Sequence, residues 1–238
     1  MEIIILVFIL LGLGIIYFVA KFFSEGLKAI TKLMVFLVLI LMVLTALVYQ
    51  DMENLKKGLK LNNNTFFIYE EERLYTGVTL KPLNNLTLTL DSFNYFTSEE
   101  IRELETKFRN KKYEDMLKSN YRVFFFTPAV IKKPLTQSIG VELDENDMLE
   151  MIKSEDPYQL LAEKSQAKYN LSLEILKVEL KNFYGDDEKI KGFLFAALIA
   201  NYFQKQGAGE LVKNIKDNQL MVYPESVSFK VIRYMPWV

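Results

Sequence analysis

Two uncharged apolar runs at the start of the chain constrain everything that follows. Ile3 to Ala20 is eighteen residues without a charge, and Leu33 to Tyr49 is seventeen. At about 1.5 Å per helical residue each covers roughly 25–27 Å, slightly short of a hydrocarbon core of about 30 Å. Phe22 and Phe23 extend the first run past Lys21, whose aliphatic stem can snorkel to the interface. Buried helices of soluble proteins seldom run this long without a charge, and two in succession would need a very large core. A cleaved signal peptide does not fit. Only Met1 and Glu2 precede the first run, no small-x-small cleavage site follows it, and the second run would still span. The pattern predicts a transmembrane hairpin over residues 1–49, with spans near 3–23 and 33–49, held in a lipid bilayer through residues 3–49.

Lysines bear on orientation. The connector KFFSEGLKAITK, Lys21 to Lys32, carries three Lys and one Glu. After the second run comes the acidic QDMEN, and only then Lys56, Lys57 and Lys60. Within about 15 residues of each span the two sides tie. The connector's lysines lie closer to the membrane, which favours a cytoplasmic connector, external termini and an extracytoplasmic domain. Gly12 and Gly14 sit mid-run without a full small-xxx-small repeat, and no acid or base lies inside either uncharged run. The hairpin therefore reads as an anchor and not as an ion path.

The remainder divides into a polar juxtamembrane linker, 50–64, and one soluble α+β domain, 65–238, with antiparallel strands and a buried central helix. Net charge is +1 for residues 1–50 and −2 for 51–238, with no basic stripe, so nucleic acid is not an expected partner. The chain has no Cys and no His. That excludes Cys nucleophiles, disulfides, thiolate and imidazole metal sites, Ser-His-Asp triads and His general bases.

Three strand-like runs open the domain: Thr65 to Tyr69, Arg73 to Leu80, and Asn85 to Asp91. In the second, Leu74, Thr76, Val78 and Leu80 fall on one face by period-two alternation. Glu70 to Glu72 and Lys81 to Asn84 read as turns, so an antiparallel meander is expected. Thr97-Ser98-Glu99-Glu100 is a capping box, with Phe96 and Ile101 placed as a hydrophobic staple. The helix runs through Ile101, Leu104 and Phe108, and either continues or restarts near Lys111, ending at Asn120. Tyr121 to Thr127 (YRVFFFT) reads as a buried strand, and Gly140 to Leu143 as a short one. Asp144 starts a short helix, and Asp156-Pro157 another, with Asp as N-cap and Pro at N1. Leu171 to Tyr184 is ambiguous. Leu173, Leu176, Leu180 and Phe183 fit a helix, whereas Leu171, Leu173 and Ile175 fit a strand. We read a helix ended by Gly185. Asp186 to Glu188 cap the central helix, whose run Gly192 to Phe203 is apolar nearly all round but too short to span. A last helix is expected from Gly209 to Asp217, followed by a hairpin of Gln219 to Tyr223 and Val227 to Tyr234.

Candidate chemistry is sparse. Gly207-Ala208-Gly209 precedes a helix but follows another helix, and lacks the rest of a phosphate-binding pattern. Ser165-Gln166-Ala167-Lys168 matches Ser-x-x-Lys, in which lysine can activate serine, but no companion motif accompanies it. The acidic groups Glu70 to Glu72, Asp144/Glu145/Asp147 and Asp186 to Glu188 could serve hydrolysis or a cation. Each falls at a turn or helix start, where acids favour the helix dipole. Asn63, Asn85 and Asn170 begin glycosylation sequons. The sequence thus assigns no catalytic residue, no cofactor-binding residue and no metal ligand, and implies no cofactor.

Two spans, then Gln50-Asp51, then paired short strands to Leu80, and later the run Lys191 to Leu198 (KGFLFAAL): in this order the chain resembles uncharacterised two-span membrane proteins of small-genome archaea. The resemblance implies no activity and no site residues. The expected function is a membrane-anchored, non-enzymatic protein whose domain binds a protein partner or joins a cell-envelope complex. The alternatives are a membrane-tethered hydrolase using carboxylates or Ser165/Lys168, and an accessory subunit of a transporter or secretion machine.

Overall fold

The computed structural model describes residues 12–17, 21, 25–82, 92–131, 137–138, 142–169, 171–205 and 208–233. The chain divides into two units, Met1–Leu55 and Lys56–Val238.

In the first unit the second apolar run is taken up by helix α1, which spans Glu25–Leu61. Among the described residues it is the one helix long and apolar enough to cross a membrane. Over Lys32–Leu61 its most apolar stretch has mean hydropathy 2.6, and none of that stretch is buried in protein. Thr45, the polar side chain within the run, donates its hydroxyl to the Leu41 carbonyl at 2.8 Å, so it carries no unmet donor into an apolar setting. Residues 12–17 of the first run are also helical. There Gly12 faces α1 so closely that a Cβ would lie 3.3 Å from Met42 Cε, whereas a Cβ on Gly14 would meet nothing within 4 Å. Most of the first run lies outside the described residues, so one helix of spanning length is seen and not two.

The polar stretch read as a linker is helical as far as Leu61. Gln50 to Leu61 has no proline and carries three Leu and three Lys, which favour helix. The turn signal Asn62-Asn63-Asn64 ends it. In the second unit Gly58 of α1 lies under the Tyr121 ring, where a Cβ would come 2.2 Å from Cε1. The Gly58 carbonyl accepts from the Asn62 backbone N–H and from Asn64 Nδ2, both at 3.1 Å.

The described residues of the second unit include seven strands: β1 (Asn64–Glu70), β2 (Arg73–Leu80), β3 (Phe93–Tyr95), β4 (Arg122–Phe126), β5 (Gln137–Ser138), β6 (Glu142–Leu143) and β7 (Leu220–Tyr223). Five form one sheet in the order β3-β2-β1-β4-β7, and β5 pairs with β6. The expected antiparallel sheet is mixed. β1 pairs antiparallel with β2 through the turn at Glu71 and Glu72, but parallel with β4. Both central strands bury side chains on both faces, as central parallel strands do. The strand expected at Asn85 to Asp91 lies outside the described residues. β3 is too short to carry a periodic signal.

Alternation along β2 breaks once. Ile68 pairs with Thr76 and Tyr69 with Leu74, so Tyr75 is the extra residue of a bulge. Leu74 is therefore not on the face of Thr76 and Val78, as period two predicts. It joins the cluster on the opposite face with Phe67, Val123 and Phe125.

Helices cover both faces. On one lie α2 (Ser98–Arg109) and α3 (Tyr113–Leu117), which place Ile101, Leu104, Phe108 and Met116 against Phe67 and Phe125. Phe67 and Phe125 stack with centroids 5.6 Å apart. The α2 capping box is present, with Thr97 Oγ1 accepting from the Glu100 N–H and Glu100 Oε2 accepting from the Thr97 N–H. A single turn, α4 (Pro128–Ile131), follows β4, and α5 (Glu145–Lys153), α6 (Pro157–Tyr169) and α7 (Leu173–Tyr184) precede α8 (Asp187–Lys205). α8 supplies the opposite face, where Phe203 meets Phe66 edge-on at 5.7 Å and Tyr202 meets Phe126 at 5.2 Å. Ile190, Leu194 and Phe195 to Ile199 of α8 are buried, as expected of a central helix. Asp186 caps it, accepting from the Lys189 N–H at 2.7 Å.

The expected C-terminal hairpin is not formed. After α9 (Ala208–Lys216), β7 pairs antiparallel with β4, and residues Val227–Ile232 form α10. Ser226 caps α10 by accepting from the Phe229 N–H at 3.3 Å. Phe229 is buried while Val227 is exposed, a single-anchor pattern that alternation mimics over so short a stretch.

Candidate functional site

The surface that stands out is one side of α7. Ser172 starts this helix by accepting from the Ile175 N–H, and Gly185, at φ +98°, ends it. Its inner side packs on α6 and α8. Leu176 is buried, Leu173, Leu180 and Tyr184 are partly so, and Tyr184 meets Phe193 of α8 at 5.8 Å. Lys177 pairs with Asp156 at the start of α6, and Lys181 with Asp187 at 3.1 Å. On the opposite side Ile175 and Val178 stand at helical spacing and face solvent, 54% and 58% exposed, and Leu171, just before the cap, is exposed beside them. Phe183, which helical spacing groups with Leu173, Leu176 and Leu180, is 80% exposed. The helix is thus apolar along two opposite stripes. That is why its sequence reads equally as helix and as strand.

A second feature lies where β1 and β4 begin. Arg122 is buried, opposite Asn64 in the parallel register. Its guanidinium sits 5.3 Å from the Tyr121 ring centroid and 5.7 Å from that of Phe229, and Nη1 has no hydrogen-bond partner among the described residues. Asn64 is fully buried. Its Nδ2 donates to the Gly58 and Asn62 carbonyls, and its Oδ1 is unpartnered among the described residues. A buried cation set beside two ring faces, with Nη1 unpartnered among the described residues, has chemical capacity for an anion. Sequence could not reveal it, because nothing in YRVFFFT says that the Arg is inside.

The structure does not gather the residues that the motifs singled out. Ser165 is fully buried, and its hydroxyl donates to the Leu161 carbonyl of its own helix at 2.6 Å. The Lys168 side chain lies outside the described residues. Glu70 accepts from Tyr75 at 3.1 Å and pairs with Lys153 at 2.7 Å. Asp144 and Asp147 form a capping box at α5, and Asp147 also pairs with Lys164 at 2.5 Å. Asp186 caps α8, Asp187 pairs with Lys181, and Glu188 pairs with Lys191 at 3.2 Å. Among the described residues no three acids gather where a metal ion could sit. Gly207, Asn85 and Asn170 lie outside the described residues.

Burial and pairing shift several groups near α7 and α8. The Lys177 ammonium holds the Asp156 carboxyl below its ordinary range, aided by the Gln159 N–H. Burial raises the Tyr158 phenol, which donates to the Gly185 carbonyl at 3.0 Å, and Asp187 and Asp186 add to that rise. Burial pushes Tyr202 up to about 12, opposed by Asn214, whose Nδ2 donates to its hydroxyl at 3.0 Å. These contacts lock helices together, and none presents a reactive group to solvent.

Comparison with protein-family models, curated proteins and solved structures finds no match to this chain.

Proposed function

We propose that the chain is a membrane-anchored, non-enzymatic protein whose second unit docks a protein partner through the outer side of α7. The observation that carries this reading is the stripe Leu171, Ile175 and Val178, apolar and bare on a helix whose other side is already packed. A soluble surface seldom keeps an ordered apolar row without a use for it.

The membrane part draws support from α1, apolar and uncovered over a spanning length. The close fit of Gly12 to Met42 supports a second apolar helix beside it, and so the two-span hairpin. In this reading the connector is cytoplasmic and the domain extracytoplasmic. Single cysteines replacing Gly26 and Asn62 then label from opposite sides of intact cells. Labelling of residue 26 from outside reverses the topology.

Hydrolysis by Ser165 is disfavoured because its hydroxyl is inside the helix layer and already donates. The docking reading is tested with a photo-reactive residue in place of Val178 in native membranes. A defined protein adduct, identified by mass, supports it. Adducts to lipid alone, or none, overturn it. Adducts to components of a transporter or secretion machine identify the chain as an accessory subunit of that assembly.

A further inference from the structure

Resting on the docking reading above, we infer that the occupant of the α7 stripe is α7 of a second copy of this chain, running antiparallel. Within the helix the stripe is Ile175, Val178 and Asn182, a 3-4 spacing that follows the seam of a two-helix contact, with Leu171 extending it just before the Ser172 cap. Charges flank it unequally. Along one border lie Glu174 and Lys181, and along the other Ser172 and Glu179.

These borders discriminate between orientations. In a parallel pair, Glu174 of one copy meets Glu179 of the other on both sides, a like-charge contact made twice. In an antiparallel pair centred between Leu176 and Lys177, Ile175 packs on Val178 and Leu171 meets Asn182. Each Glu174 then lies near Lys181 of the partner copy, an opposite-charge contact made twice. Lys181 is exposed enough to reach outward from its contact with Asp187, its side chain being 54% accessible. The patch is its own complement, which is what a two-fold contact requires.

Area adds a constraint. A three-turn helix pair buries less than the roughly 1,200–2,000 Å² of a stable interface. Such a contact suits copies already concentrated in a membrane plane, where the second encounter is nearly intramolecular.

The test uses the full chain in vesicles, and the absence of native cysteine makes it clean. Two single-cysteine forms are made, Leu171→Cys and Asn182→Cys, both at exposed positions. Leu171 stands just before the Ser172 cap and Asn182 in the last turn, so the two mark opposite ends of α7. Under mild oxidation the mixture gives a crosslinked species near twice 27.8 kDa, and neither form alone does. Crosslinking of either form alone indicates a parallel pair and overturns the inference. Absence of crosslinking in the mixture also overturns it. If the probe at Val178 has meanwhile found a different protein, the docking reading stands without it.

Charge reversal gives an independent arm. With Glu174→Lys in both cysteine forms the crosslink is lost, and Lys181→Glu in both loses it too. Glu174→Lys in one form mixed with Lys181→Glu in the other regains it. Crosslinking that ignores these reversals overturns the antiparallel pairing.

Discussion

Gly77 stands directly across the β1–β2 ladder from Phe67, and a Cβ at residue 77 would lie 2.4 Å from Phe67 Cδ1. The Phe67 ring therefore lies over the strand opposite, in space that any other side chain would fill. Gly77→Ala is expected to destabilise the second unit by about 1–3 kcal/mol, through overpacking. The denaturant midpoint should fall with its slope unchanged. Adding Phe67→Leu removes the ring edge and recovers part of the loss. Recovery is incomplete because the Phe66 carbonyl oxygen also lies 3.1 Å from that Cβ.

Gly77 also marks where period-two reasoning stops. The bounds of β1 and β2 are legible because apolar and β-branched residues fill them and an acidic turn separates them. The bulge at Tyr75 is not legible, since it reflects how β2 fits β1 and not any local preference. Period two predicts the wrong face for Leu74 for that reason. The parallel pairing of β1 with β4 is likewise a choice between distant segments. Val227 to Ile232 failed differently: six residues are too few to separate alternation from one helical turn anchored by Phe229.

Asp156 joins two helices, capping α6 through the Gln159 N–H at 3.1 Å and pairing with Lys177 of α7. Asp156→Asn keeps a good cap and loses the partly exposed ion pair, a cost under about 1 kcal/mol. Asp156→Ala loses both, about 0.5–2 kcal/mol for the cap alone. The folded carboxyl is held below its ordinary value of 3.8, so its contribution is present above that pH. It disappears as pH falls through the lower folded value. Stability measured by urea unfolding below pH 4 should therefore fall less steeply in Asp156→Asn than in the parent.

Tyr202 makes the opposite prediction at high pH. Burial raises its phenol from 10.0 to about 12, so its contribution is complete below pH 10 and is lost between the two values. Tyr202→Phe should flatten the alkaline fall in stability. At neutral pH it leaves buried Asn214 without its acceptor, a loss of about 1–3 kcal/mol. A thermal unfolding series from pH 8 to 12 separates the two effects, because the parent and variant curves converge as the phenol ionises.

α7 shows what the sequence holds about the candidate site. Both stripes are present in LSLEILKVELKNFY, and their conflict is the signal: a helix with one apolar side would not also read as a strand. Which stripe faces inward is settled by packing on α6 and α8, where Leu176 is buried and Val178 is not. Gly185 is readable as the end because capping chemistry is local, whereas the start lies two residues beyond the Leu171 that the apolar pattern suggests, after the Ser172 cap. The environment of Arg122 is unreadable, because Phe229 reaches it from α10, a helix that the alternating pattern conceals.

Arg122 tests whether a buried cation with no carboxylate partner among the described residues burdens the fold. Two ring faces, Tyr121 and Phe229, contact the guanidinium. Each such contact contributes about 0.5–2 kcal/mol, against a desolvation penalty of several kcal/mol. Arg122→Met keeps the apolar stem between the rings and removes the charge, and should be neutral or stabilising by about 1–4 kcal/mol. Arg122→Ala removes the stem as well, leaves a gap beside Phe229, and should be less stable than the Met variant by about 2 kcal/mol or more. Chemical unfolding of both variants gives the comparison. A Met variant less stable than the parent would mean that the guanidinium is held by an interaction stronger than its two ring contacts.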